Sequence, residues 1–169
     1  AKGVCEVVLY SSEHDSSLTE MPVEHITNLI KVWTDRYEEL GSREEIKYVF
    51  IFENKGDAIG VTLQHPHGQI YAFPFIPPKV GRELNSSKEY MEETGKCLHC
   101  DVLGEELADG RRIVAENQDF VAFIPFTARY PYEIHIYARD HRRSLLEFNE
   151  EEQRSLARIL KLVISKYDN

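Results

Sequence analysis

The alternation of apolar and polar residues predicts two long amphipathic helices and a set of short strands. Apolar residues recur at the spacing of a single helix face from 22 to 40 and again from 149 to 167. Pro22 is typical of a first helical turn and Gly41 of a helix end. Asn149 and Glu152 have the spacing of a capping box. The predicted strands are residues 6–10, 48–52, 69–75, 112–116, 120–124 and 133–138.

A polar segment from 80 to 96 separates the two halves of this pattern. It holds no run typical of a strand, and we predict a linker there with a short helix near residues 86–93. Strands packed against helices favour an α+β fold with antiparallel sheets. We expect core positions in the strands for Cys5, Phe50, Phe52, Phe73 and Phe75.

A strand, a histidine turn and a helix occur twice in this order. Residues 6–40 align with residues 133–167 without a gap. The turn contains Glu13-His14 in the first copy and Asp140-His141 in the second. The other matched pairs are Glu6/Glu133, Tyr10/Tyr137, Ser17/Ser144, Leu18/Leu145, Glu20/Glu147, Glu24/Glu151 and Leu29/Leu156. This similarity predicts two homologous domains, with the end of one joined to the start of the next.

The charge of the chain limits its partners. The 169 residues include 20 Lys and Arg against 29 Asp and Glu, for a net charge of -9 and an isoelectric point near 5.3. An acidic chain without a basic run is poorly suited to electrostatic binding of nucleic acid or an anionic membrane. No apolar stretch approaches the roughly 18 residues of a membrane span, and the opening residues Ala1-Lys2-Gly3-Val4-Cys5 do not have the pattern of a signal-peptide h-region. We therefore expect a cytoplasmic protein.

The cysteines favour a metal or redox site over a disulfide framework. Three cysteines are an odd number and too few for such a framework. Cys97 and Cys100 form a CxxC pair that precedes the second histidine turn. Thiolate and imidazole ligands together favour tetrahedral zinc, and two unmetallated thiols remain the alternative.

The run His65-Pro66-His67-Gly68-Gln69 holds the candidate chemistry. In an extended segment, residues 65, 67 and 69 project to one face. Three interpretations are open at this point: two unrelated loop histidines, a metal site that uses both, or one anchoring histidine beside a nucleophile. A nucleophilic imidazole attacks through one nitrogen while the other donates a hydrogen bond that fixes the tautomer. Gln69 can bind phosphate oxygens but cannot act as an acid or base, which favours group transfer over hydrolysis.

Around this run the sequence resembles the galactose-1-phosphate uridylyltransferase family of the histidine-triad superfamily. The resemblance extends from the 12–15 turn to the 112–167 stretch. The motifs are Asn54-Lys55-Gly56, Gly60-Val61-Thr62 and the HPHGQ run followed by Ile70-Tyr71-Ala72. It implies a central fragment of a longer chain, with parts of two tandem histidine-triad-like domains at residues 1–85 and 86–169.

The resemblance also implies an activity. His67 would accept UMP from UDP-glucose and pass it to galactose 1-phosphate, while Gln69 would steady the uridylyl group. A homodimer is implied as well. The residues matching positions that touch the nucleotide sugar are Asn54, Gly60, Val61 and Thr62.

Metal sites follow from the same resemblance. His14 and His65 would bind zinc together with a CxxC pair outside this sequence. By the internal repeat, Cys97, Cys100 and His141 would form a second zinc site.

An iron site is implied in addition. Glu83 matches the iron-binding glutamate of the family, whose histidine partners are not in this sequence. A solvated surface carboxylate is the alternative for Glu83.

Two rival functions remain open from the sequence. A related phosphorylase or adenylyltransferase that acts on ADP-glucose or a dinucleoside polyphosphate could use the same histidine and glutamine. A zinc-stabilised nucleotide-binding module without catalysis is the rival from a different class.

Overall fold

The computed structural model of the chain describes residues 2–56 and 65–168. It divides into two compact units, Ala1–Pro77 and Pro78–Asn169. Within the part of the chain that the structure describes, the first unit combines one α-helix and the second unit three α-helices with a three-stranded antiparallel sheet, which confirms the predicted α+β class. The division into two homologous domains at residue 85 stays a prediction. No described helix is long and apolar enough to cross a membrane.

The first unit places the HPHGQ strand at the centre of its sheet. Its elements are β1 (Val4–Leu9), α1 (Val23–Gly41), β2 (Tyr48–Phe52) and β3 (His67–Phe73). The strand order is β1-β3-β2. The predicted helix and all three predicted strands are present, but β3 begins two residues earlier than predicted. His67 therefore lies in the strand.

Alternation along β3 gives the first sheet two different faces. Ile70 and Ala72 point to one face, where they pack in a buried core with Leu40 at the end of α1. Gly68 shares this buried face. His67, Gln69, Tyr71 and Phe73 alternate to the opposite face and are partly exposed. We call this opposite face the open face.

The open face corrects the prediction that the strand aromatics and Cys5 form core. Phe50 is 43% exposed and Phe75 is 52% exposed, and Cys5 is exposed as well. Val7 and Leu9 of β1, each 61% exposed, lie on the same face. Apart from Phe75, which follows the end of β3, these side chains occupy alternate strand positions that face away from α1. Their apolar character indicated a strand but not which face is buried.

In the described residues, the second unit also forms three strands, and it has three α-helices where the first unit has one. Its elements are α2 (Pro78–Thr94), α3 (Leu98–Asp109), β4 (Ile113–Glu116), β5 (Phe120–Phe123), β6 (His135–Ala138), a 3-10 turn (Leu145–Glu147) and α4 (Glu150–Tyr167). The strand order is β4-β5-β6. The three predicted strands and the second long helix are confirmed. Asn149 and Glu152 form the predicted capping box at the start of α4.

The central strand β5 is buried on both faces. Phe120 and Ala122 pack against Ile159 and Val163 of α4. Val121 and Phe123 alternate to the other side and pack with Leu103 of α3. All four residues of β5 are at most 2% exposed, which is why this strand is a continuous apolar run.

The predicted linker is mostly helical, and the short helix predicted near residues 86–93 is part of a longer helix. α2 covers Pro78–Thr94 and buries no residue, so it lacks the apolar stripe by which helices are predicted. Lys88 and Glu92 form an i,i+4 ion pair on its exposed surface. The Tyr90 hydroxyl donates to Asp101 at 2.7 Å, which ties α2 to α3.

Helix α3 is an element that the sequence pattern did not predict. Its first turn contains Cys100, and it ends at Gly110, whose positive φ of 68° suits glycine. The buried carboxylate of Glu106 accepts hydrogen bonds from Arg112 and from the backbone N–H of Phe126. A charged residue on the buried side of α3 hides its amphipathic pattern.

Candidate active site and metal ligands

His67 and Gln69 lie side by side on the open face of the first sheet. His67 opposes Leu9 across the ladder, and Gln69 opposes Val7 and Phe52. His65 precedes the strand and does not join this row. The predicted common face is therefore shared by residues 67 and 69 alone.

The imidazole of His67 has a defined tautomer. Its Nδ1 lies 2.8 Å from the backbone oxygen of His65. A carbonyl oxygen only accepts, so Nδ1 carries the proton and donates. The lone pair then resides on Nε2, the nitrogen that is not engaged by the His65 carbonyl. This is the arrangement that a nucleophilic histidine needs.

Tyr10 supports the same strand from the buried face. Its backbone N–H donates to the oxygen of Pro66 at 2.9 Å, and its hydroxyl hydrogen-bonds Glu53. Burial raises the pKa of Tyr10, and the Glu53 carboxylate raises it further. A Cβ on Gly68 would overlap the Tyr10 hydroxyl and lie 2.9 Å from its Cζ. Glycine is thus required by a close approach of the Tyr10 ring.

The first histidine turn brings His14 to His65. Their Nδ1 atoms are 3.2 Å apart. His65 Nε2 donates to the oxygen of Ser11 at 2.8 Å, which leaves His65 Nδ1 with a lone pair that faces His14. Metal-bound histidines commonly donate their other N–H to a backbone carbonyl in this way.

The second histidine turn brings His141 to the CxxC pair. The Sγ of Cys100 lies 3.2 Å from Nδ1 of His141. The ligand atoms of Cys97, Cys100 and His141 all lie within 4.8 Å of one another. Burial raises the pKa of the Cys100 thiol, and the adjacent Cys97 adds to the rise. Two thiolates so close repel each other, and a cation between them would relieve that repulsion.

Comparison with known proteins shows which family the chain belongs to. Residues 1–77 match the family model described as galactose-1-phosphate uridyl transferase, N-terminal domain, and residues 83–169 match the C-terminal domain of the same family. The chain belongs to the galactose-1-phosphate uridylyltransferase family. The predicted resemblance is thereby confirmed.

Individual relatives agree with this family. The chain is 46% identical over 168 residues to galactose-1-phosphate uridylyltransferase of Thermotoga maritima, across 99% of the chain and 52% of that relative. A solved uridylyltransferase structure matches with a TM-score of 0.91 at 37% identity, covering 96% of the chain and 52% of that structure. An Arabidopsis thaliana ADP-glucose phosphorylase solved with bound ADP-glucose matches with a TM-score of 0.88 at 30% identity, over 97% and 52%. The chain spans about half the length of these relatives.

The remaining residues that the family resemblance singled out are spread along the chain. Asn54 follows β2 and is exposed. Glu83 lies on α2, is exposed, and has Lys79 Nζ 4.0 Å from its carboxylate. Three predicted substrate contacts, at Gly60, Val61 and Thr62, lie outside the described residues.

The sequence did not predict several contacts at these sites. His99, which had no predicted partner, hydrogen-bonds the Tyr137 hydroxyl at 3.0 Å and approaches Ser87 Oγ at 3.5 Å. Burial raises the pKa of Tyr137. The support of Gly68 by Tyr10 was also missed. The repeat offered one signal, because Tyr10 and Tyr137 are matched residues that both approach candidate sites.

Proposed function

We propose that the protein transfers UMP from UDP-glucose to galactose 1-phosphate through a uridylyl group on His67. The observation that carries this proposal is the hydrogen bond from His67 Nδ1 to the His65 carbonyl, which leaves the Nε2 lone pair for attack. Relatives named galactose-1-phosphate uridylyltransferase support the choice of substrates.

The reaction consists of two displacements at one phosphorus atom. His67 Nε2 attacks the α-phosphorus of UDP-glucose, the bond to the bridging oxygen breaks, and glucose 1-phosphate leaves. A phosphate oxygen of galactose 1-phosphate then attacks the same phosphorus. The N–P bond breaks, which gives UDP-galactose and regenerates neutral His67.

The surroundings of His67 suit this intermediate. When Nε2 bonds to phosphorus the ring becomes cationic, and the Nδ1–H bond to the His65 carbonyl strengthens because its donor is now charged. Gln69 can donate to the phosphoryl oxygens. Because an amide neither gives nor takes a proton, Gln69 does not activate water, and the uridylyl group persists until a sugar phosphate arrives.

The two histidine turns fit metal ions. Two imidazole ligands of one tetrahedral zinc ion are separated by about 3.3 Å, as expected from Zn–N bonds of about 2.0 Å, and the Nδ1 atoms of His14 and His65 are 3.2 Å apart. Cys97, Cys100 and His141 offer three ligands of a separate zinc site. Zinc bound by His14 and His65 would supply a structural cross-link between the turn and the strand that carries His67.

Other properties of the proposed enzyme come from the family. They are a homodimer and an iron site that includes Glu83, to which the proposal adds the cytoplasmic location expected from the sequence. Substrate contacts by Asn54, Gly60, Val61 and Thr62 belong to the same proposal.

The second candidate is an ADP-glucose phosphorylase. The Arabidopsis enzyme of that name is 30% identical over 164 residues. It would use the same nucleophile, so the nucleoside would distinguish the two functions.

One experiment tests both candidates. The protein at its natural length is incubated separately with UDP-glucose and ADP-glucose, and its intact mass is measured. We expect one uridylyl adduct per site with UDP-glucose and far less adduct with ADP-glucose. The reverse preference would favour the phosphorylase. Tight nucleotide binding without any adduct would favour a binding module and contradict both enzymes.

A further inference from the structure

We infer that Tyr71 is a positioning residue that orients the carboxamide of Gln69 toward the phosphoryl group. This inference rests on the proposed function, because it concerns the same reacting phosphate. Tyr71 follows Gln69 by two residues on β3, so both side chains project to the open face.

The contact between them is a directed hydrogen bond. The Tyr71 hydroxyl donates to Gln69 Oε1 at 3.0 Å. A bond to Oε1 occupies the acceptor end of the amide and fixes the opposite end, Nε2, away from the tyrosine. Among residues 2–56 and 65–168, none accepts a hydrogen bond from Gln69 Nε2. Its two N–H donors are therefore available to a ligand on the open face.

The residues opposite Gln69 on the neighbouring strands cannot fix the orientation of its carboxamide. Across the ladder Gln69 opposes Val7 and Phe52, whose side chains carry no hydrogen-bonding atom. The carboxamide would otherwise rotate about its last torsion, where the two orientations are nearly equal in energy. The tyrosine hydroxyl removes this degeneracy.

The ring of Tyr71 is itself held in place. It meets Phe52 edge to face, with ring centroids 4.8 Å apart and an interplanar angle of 81°. It meets Phe73 in the same manner at 6.0 Å and 83°. Edge-to-face packing is a preferred geometry of aromatic pairs. The packing of the ring therefore fixes the position of the Tyr71 hydroxyl beside the Gln69 carboxamide.

The orientation has a chemical purpose. Phosphoryl oxygens only accept hydrogen bonds, so an amide that presents Nε2 attracts them, whereas one that presents Oε1 repels them. A donor that is already aimed at the developing negative charge needs no reorientation in the transition state. Tyr71 would thus increase the rate of uridylyl transfer without touching the substrate.

The test is a double-mutant cycle on the holoenzyme at its natural length. Single-turnover rates of adduct formation from UDP-glucose are measured for the wild type, Tyr71→Phe, Gln69→Ala and the double variant. Tyr71→Phe keeps the aromatic packing and removes only the hydroxyl. Tyr48→Phe is the matched control, since it also removes one tyrosine hydroxyl from the open face, but on the neighbouring strand β2.

We expect Tyr71→Phe to slow adduct formation about threefold to tenfold at saturating UDP-glucose, the value of one hydrogen bond. The apparent KM should change less than about twofold, and in the Gln69→Ala background the same change should have less than about a twofold effect. Tyr48→Phe should leave the rate within about twofold of the wild type.

Two results would overturn the inference while leaving the proposed function intact. One is an unchanged rate in Tyr71→Phe. The other is an equal loss with and without Gln69, which would indicate a general structural role. If the wild type forms no adduct, the proposed function fails, and this inference fails with it. Thermal unfolding of each variant separates loss of rate from loss of fold.

Discussion

The two histidine turns use similar sequences to meet different partners. In the first unit His14 approaches another imidazole, that of His65. In the second unit His141 approaches the thiol of Cys100. The repeated part, strand to turn to helix, presents a histidine in both units. What that histidine meets depends on the element that each unit adds, the HPHGQ strand in one and the CxxC helix in the other.

The central strands differ in a way that explains which unit can be reactive. Both sheets have three antiparallel strands. In the second unit α3 and α4 cover the two faces of β5. In the first unit β3 alternates between buried and partly exposed residues, so His67 and Gln69 remain accessible. The central strand of the sheet is closed on both faces in the second unit, whereas in the first unit one of its faces is a candidate catalytic surface.

The largest effect should come from removing the strand histidine of the first unit. His67→Ala should reduce uridylyl transfer by at least about a thousandfold, because the covalent route is lost. The control in the second unit is His135→Ala, which removes a histidine of the strand β6 that bonds Glu133 at 3.0 Å. We expect the rate of that variant to stay within about threefold of the wild type. Steady-state assays of both variants decide between these outcomes, and equal losses would contradict the division of roles.

The next largest effect should be a loss of bound metal at the second histidine turn. Cys97→Ser with Cys100→Ser should remove one bound metal ion per chain, because two of three ligands are lost. Elemental analysis of purified protein measures the change. Cys5→Ser is the control, since Cys5 is exposed on the open face, and should keep the full content. Unchanged metal in the double variant would exclude the cysteine site.

Stability should follow the difference in burial between the sheets. Phe123→Ala should lower the free energy of unfolding by about 3–5 kcal/mol, since it empties a buried site. Phe73→Ala should cost less, about 1–2 kcal/mol, because Phe73 remains partly exposed. Urea unfolding gives both values. A larger cost at Phe73 would mean that the open face is covered in the folded protein.

Two glycine substitutions compare local packing in the two units, and the smallest effect of all should be at Gly104. Gly68→Ala would push a Cβ into Tyr10 and should cost about 1–3 kcal/mol of stability as an overpacking change. Gly104 on α3 has nothing within 4 Å of an added Cβ. Gly104→Ala should therefore stabilise by about 0.5–1 kcal/mol, through helix propensity. Thermal unfolding compares the two variants, and a tolerated alanine at 68 would argue against the tight Tyr10 contact.

The elements that could be predicted are those with a strong apolar period. α1 and α4 each bury one stripe against a sheet, and β5 is continuously apolar because both its faces are covered. Only the part of α2 near residues 86–93 was predicted, since a helix that buries no residue has no apolar stripe to mark its full length. α3 was missed for a related reason, because its buried Glu106 breaks the apolar pattern.

The candidate site was predictable in its residues but not in its contacts. The spacing of HPHGQ identified His67 and Gln69 as neighbours on one face. The approach of His14 to His65 spans 51 positions in the chain, and the resemblance implied it where local pattern could not. The contacts of Tyr10 with Gly68 and of Tyr71 with Gln69 depend on strand register and on the packing of individual rings, which no short-range pattern encodes.

The central claim is that a uridylyl group is carried by His67 of the first unit. Peptide mapping by mass spectrometry after incubation with UDP-glucose, followed by a chase with galactose 1-phosphate, tests it most directly. We predict a uridylyl group on His67 that disappears during the chase as UDP-galactose forms. A modification on His141 or His135, or one on His67 that galactose 1-phosphate cannot remove, would contradict the account.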